Sequence, residues 1–222
     1  MIKRGEEDIR FMERYLKMVT VNVKHNLLYH ILICILFAVM APLFMGIENL
    51  TQNSVAKIME IYLSLIGVIL LIPTFLPDMN KDIRDLIYSK KEPVPVLYFI
   101  RVLEALAVMM VIGILFLLFL KSGNCQFPFG KMFYTFMVNG VFLGGLGMFM
   151  FALFDQAVFA YMIPLVYFIA NFEIKKKQLG KFWLFSMQER SIEEKHYLMF
   201  FGLLFLVGAI VIVKCKTLCC NR

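Results

Sequence analysis

A chain of 222 residues with 61% hydrophobic content, a mean hydropathy of +0.77 and 23 phenylalanines is not a water-soluble domain. Charged residues make up only 18% and fall in blocks between long apolar runs, the pattern of a polytopic helical membrane protein. The net charge of +7 therefore bears on membrane orientation and anionic lipid, and no basic patch interleaved with aromatics supports a nucleic-acid partner.

The N-terminus, MIKRGEEDIR, is charged, and the first long apolar run begins only near Leu27, so no cleaved leader is expected. From Glu6 to Asn26, Ile9, Met12, Leu16, Val19 and Val23 recur at steps of three and four. Arg10, Glu13, Arg14, Lys17 and Lys24 occupy the other faces. This pattern predicts an amphipathic helix along the cytoplasmic membrane surface, its basic stems snorkelling to the headgroups.

Six spans are predicted near Leu27–Ile47, Ile58–Pro77, Val96–Leu120, Met132–Phe154, Ala157–Phe172 and Tyr197–Val213. Pro42, Pro73 and Pro164 fall inside them, where neighbouring helices can take up the freed carbonyls. The expected fold is all-α in one domain, 1–222. Residues 1–26 form the interfacial helix, 27–213 hold the six spans, and 214–222 form a cytoplasmic tail. With the N-terminus inside, the cytoplasmic parts carry fourteen of the 23 lysines and arginines and the outer parts nine. That bias places both termini in the cytoplasm of a multi-pass plasma-membrane protein.

Between the second and third spans lies the most informative stretch. Met79, Ile83, Leu86 and Ile87 share one side of a short helix over Met79–Ser89; Asp78, Asp82 and Asp85 share the other with Lys81 and Arg84. Pro93 and Pro95 end it, since the first pushes Glu92 out of the α region and neither ring offers an N–H. A short two-faced helix held tightly between spans is suited to pressing on a partner. The third span then carries Glu104, read as the acid inside a span, with Arg101 one turn earlier as its expected partner.

In the fourth span, Gly140 and Gly144 have the small-xxx-small spacing that lets helices approach closely, within the subunit or between subunits. The loop after the fifth span runs from Lys175, Lys176 and Lys177 into the cluster Phe182, Trp183, Leu184, Phe185 and Met187, and then ERSIEEK. Aromatics flanked by charge predict a short helix at the outer membrane interface, with the three lysines as bilayer anchors or as a lure for anionic cargo. The five cysteines form no disulfide framework. The C-x-x-x-C-C tail at Cys215, Cys219 and Cys220 has no histidine nearby to make a metal set.

Chemistry-bearing motifs are missing. The chain has no G-x-x-x-x-G-K-[ST], no H-E-x-x-H and no G-x-S-x-G. No catalytic, cofactor-binding or metal-binding residue is expected.

The order of parts resembles the transmembrane permease subunit of ABC transporters of the type-2 exporter class. The sharpest local piece is RDLIYSKKEPVPVLYFIRVLEAL, Arg84–Leu106, which is similar to that family's acid–leucine-rich–serine–proline–valine stretch. Asp85 matches the acidic position, Ser89 the serine and Pro93-Val94 the proline–valine pair. Lys90-Lys91-Glu92 lengthens the gap before Pro93, and Ile100-Arg101 replaces the usual glycine–lysine. The resemblance implies a coupling helix in which Asp82, Ile83, Arg84, Asp85, Leu86 and Ile87 meet a separate ATP-binding subunit that holds ATP and Mg. It also implies a second permease subunit, identical or a sister chain, re-entrant outer helices before the sixth span, and export of a peptide or amphipathic lipid-like substrate. An ATP-independent membrane immunity or scaffold protein is the competing expectation.

Overall fold

The computed structural model of the protein describes residues 19–46, 50–79, 94–174, 180–189 and 191–220. The coupling stretch Asp82–Ile87, the N-terminal residues before Val19 and the lysines 175–177 lie outside these residues. Among the described residues there are six long helices and no strand: α1 (Val19–Leu43), α2 (Gln52–Thr74), α3 (Val94–Ser122), α4 (Phe129–Phe154), α5 (Ala157–Glu173) and α6 (Glu193–Cys220). All but α5 are long and apolar enough to cross a membrane. The 17 residues of α5 rise about 25 Å, somewhat short of a hydrocarbon core of about 30 Å. Large apolar side chains point away from the protein, with Leu43 74% and Val207 61% exposed, as expected where lipid replaces water.

The helices run alternately up and down. Asn22 at the start of α1 reaches Glu104 on α3. Phe75, just past α2, packs on Tyr98 of α3 and Phe151 of α4. Lys216 on α6 pairs with Asp155 at the α4–α5 turn, 2.6 Å apart. The start of α1, the end of α6, the residues leading out of α2 and the α4–α5 turn thus share one end of the bundle. That turn needs only two residues. Asp155 adopts a left-handed conformation (φ 54°), donating its N–H to the Phe151 carbonyl, and Gln156 is extended ahead of α5.

Helix α4 is the centre, packed on by α6, α5 and α2. Glycine makes this possible. A Cβ on Gly67 would come 2.1 Å from the Gly140 carbonyl oxygen, and one on Gly144 would come 2.5 Å from the Gly67 oxygen. The Gly140/Gly144 pair therefore serves packing of α4 on α2 within the chain. On another side of α4, Gly145 faces Gly202 of α6 in the same way. Phe205 of α6 packs between Phe142 and Phe149 of α4, with centroids 6.0 and 5.3 Å away.

Two helix starts differ from expectation, and the described end of the N-terminal stretch, Val19–Asn26, is the first part of α1, with a π-helical turn at Val23–Leu27. Its Asn22 and Asn26 are bonded to neighbouring helices, because polar side chains on a span find partners inside the bundle. The second span begins at Gln52 rather than Ile58, since the Thr51 hydroxyl accepts the Ser54 N–H and caps the helix six residues before the apolar run. The last begins at Glu193 rather than Tyr197 and so takes in Lys195, which the sequence reading assigned to an outer loop.

Candidate functional site

The connection between α5 and α6 folds back into the bundle end opposite the chain's described ends. Two single 3₁₀ turns, Gly180–Phe182 and Ser186–Glu189, flank the non-helical residues Trp183–Phe185; Leu184 and Phe185 of that stretch and Ser186 and Met187 of the second turn are buried. Phe185 lies edge-on to Phe168 and tilted against Phe172 of α5, so it is a packing residue and not an interface anchor. Trp183 is half-buried, and Phe182 is exposed with its ring against Phe201. A backbone without helical hydrogen bonds cannot enter such a place unless other groups satisfy its N–H and C=O groups.

Four helices supply them. From α5, the Tyr167 hydroxyl donates to the Phe182 carbonyl (2.5 Å) and Asn171 Oδ1 accepts the Leu184 N–H (2.9 Å). From α4, Asn139 Nδ2 donates to the Leu184 carbonyl (3.2 Å). From α6, Lys195 Nζ donates to the same carbonyl (2.5 Å). From α2, Glu60 Oε1 accepts the Met187 N–H (2.8 Å).

At the centre, Lys195 and Glu60 form an ion pair at 2.8 Å with both side chains fully buried. The ammonium has three donors and finds three acceptors: Glu60 Oε1, Asn139 Oδ1 at 2.9 Å and the Leu184 carbonyl. A charge taken this far from water persists only when paired and hydrogen-bonded, and this one is. Glu60 itself stands on an irregular part of α2. Ile58–Tyr62 is a π turn, closed by the Leu63 N–H on the Ile58 carbonyl, and Leu63–Leu65 is a 3₁₀ turn. The Ser64 hydroxyl donates to the Glu60 carbonyl at 2.6 Å.

A second polar group stands at the other end of the bundle. Pro73 interrupts the end of α2, and its last carbonyls are taken by neighbours: Asn26 Nδ2 of α1 donates to Pro73 O (3.2 Å) and Arg101 Nη1 of α3 to Thr74 O (3.2 Å). Glu104 accepts from Asn22 (2.5 Å), so α1 rather than the α3 surface alone provides for it.

Glu104 is the acid that sequence alone marks inside a span; Glu60, which α2 carries fully buried into the protein, is the one it misses. The available signal was Glu60's own position within an apolar run. Nothing local linked it to Lys195, because Lys195 sits in ERSIEEK and looks like loop. Asn139 and Asn171, amides inside the fourth and fifth spans, were equally visible and equally silent about their target. No family model, no curated protein and no solved structure matches the chain. Among the described residues no three His, Cys, Asp or Glu side chains gather as a metal ion requires. The geometry instead grips a piece of backbone and holds the inserted segment in the bundle.

Proposed function

We propose that the chain is the membrane-spanning permease subunit of an ATP-driven exporter of the type-2 ABC class, moving a peptide or amphipathic lipid-like substrate outward. ATP and Mg belong to a separate ATP-binding subunit, and a second permease subunit, identical or a sister chain, completes the path. The observation that carries this reading is the inserted Gly180–Glu189 segment at one end of an alternating bundle. The residues leading from α2 toward the two-faced Met79–Ser89 stretch lie at the other end, so a push there meets the end opposite the inserted segment. The exposed apolar faces of α1, α3 and α6 meet lipid and the second permease.

Copurification tests it. The tagged chain should bring down a protein carrying G-x-x-x-x-G-K-[ST]. Replacing Leu86 and Ile87 by Ser should release that partner while the permease stays in the membrane, whereas Asp82→Asn should do much less. An exposed ion pair contributes roughly 0–1 kcal/mol, but each buried apolar side chain contributes about 1.5–3 kcal/mol. A chain that is stable and active with no such partner would be the ATP-independent scaffold or immunity protein instead.

A further inference from the structure

We infer that Glu60 and Lys195 form a latch on the inserted segment Gly180–Glu189, and that the irregular stretch Ile58–Leu65 of α2 is the hinge that opens it. The inference stands on the fold alone and is independent of any ATPase.

The latch joins three bodies. Lys195 is on α6, Glu60 on α2, and the Leu184 carbonyl and Met187 N–H belong to the inserted segment. Both the Lys195 and the Met187 contacts fall on one carboxylate oxygen, Oε1, so a small movement of Glu60 breaks both. Asn139, Asn171 and Tyr167 hold the segment from α4 and α5 through uncharged bonds, and at its near end Lys181 reaches the Tyr197 hydroxyl of α6 (3.1 Å). Removing the Glu60 carboxylate strips the buried ammonium of its direct ion-pair partner; Lys195 must then shed a proton or be reached by water, and either weakens its hold on the Leu184 carbonyl.

The hinge is written into α2. Gly67 is pressed onto Gly140, and Leu71 and Ile72 crowd Gly144 and Gly147, so the part from Ile66 inward is fixed to α4. Glu60 itself stands in an under-wound π turn, and an over-wound 3₁₀ turn lies between it and that fixed part. Such turns mark functional sites and hinges. Here they can rewind toward regular α-helix by exchanging hydrogen-bond partners along the chain, without exposing unpaired groups to hydrocarbon. The Ser64 hydroxyl adds its own bond to the Glu60 carbonyl (2.6 Å), the i−4 back-bonding that bends a helix, and so favours the present irregular state.

The test is thiol labelling of the full chain in open membrane fragments, where both faces meet an impermeant maleimide. The five native cysteines are replaced, and a single cysteine is placed at buried Leu184 or, as a control, at buried Ala105 in α3. Both sites should be protected in the parent. Glu60→Gln should raise the labelling rate at position 184 at least about tenfold, as expected for loss of a charge-assisted contact, and leave position 105 protected. Ser64→Ala should raise it by a smaller factor with the ion pair intact. Labelling at 184 in the parent, labelling of both sites in Glu60→Gln, or no change at 184 would each overturn the latch. In the first case the segment is not seated, in the second the pair merely holds the whole bundle together, and in the third it holds nothing. An unchanged rate in Ser64→Ala would overturn the hinge.

Discussion

Lys195 is the residue whose environment is most demanding. With no exposed surface and three acceptors on three elements, it has nowhere to place its charge except on Glu60 and its neighbours. Truncating one partner of a buried pair is expensive because the other charge stays behind, at about 3–5 kcal/mol. Lys195→Met should therefore lower the midpoint of thermal inactivation in detergent sharply. The double variant Glu60→Gln/Lys195→Met should regain part of that loss, since no charge is then stranded and the Gln oxygen still accepts the Met187 N–H. A double variant no more stable than Lys195→Met alone would mean that the pair's charges do not interact as their 2.8 Å separation implies.

At the scale of elements, α4 governs the packing through absent side chains. The contact of Gly67 with Gly140 has no room for a methyl group, because the obstacle at 2.1 Å is a backbone oxygen that cannot rotate away. Gly67→Ala should therefore force α2 off α4 and cost at least the roughly 1–3 kcal/mol of an overpacked core. Gly130→Ala, at the start of α4 with nothing within 4 Å of the added carbon, should be tolerated; unfolding midpoints of the two variants compare them directly. The elements themselves were legible in the sequence because long apolar runs in lipid must be helices. Gly140-x-x-x-Gly144 was legible as a close approach, but its partner was not, since spacing on one helix says nothing about which neighbour meets it. Helix starts were read too late at Gln52 and Glu193, where a capping hydroxyl and a buried lysine extend the helix beyond the apolar residues. The inserted segment was legible as an aromatic cluster that water would not hold. Its place in the bundle depends on five polar side chains from four helices, Glu60, Asn139, Tyr167, Asn171 and Lys195, and no periodicity connects them.

For the whole molecule, the decisive quantity is which end faces the cytoplasm. The end shared by the start of α1 and the end of α6 presents Lys24, Lys214 and Lys216 among its described residues, and in the sequence the helices that start or finish at this end are flanked by the basic residues before Val19 and those from Lys81 to Lys91. At the other end, Lys195 is neutralised inside the protein by Glu60 and so does not count as a free loop charge. Asp155 and Lys216 pair across the first end and Ser122 closes α3 at the second, so positions 122 and 156 report opposite faces. In a background without native cysteines, Ser122→Cys should react with an impermeant maleimide on intact cells. Gln156→Cys should react only after lysis. Both residues are exposed, and neither holds the fold together. The reverse pattern would put Gly180–Glu189 in the cytoplasm and the Met79–Ser89 stretch outside, where no ATP-binding subunit could reach it. Labelling of both positions on intact cells would mean that α4 does not cross, and with it the alternating bundle would fail.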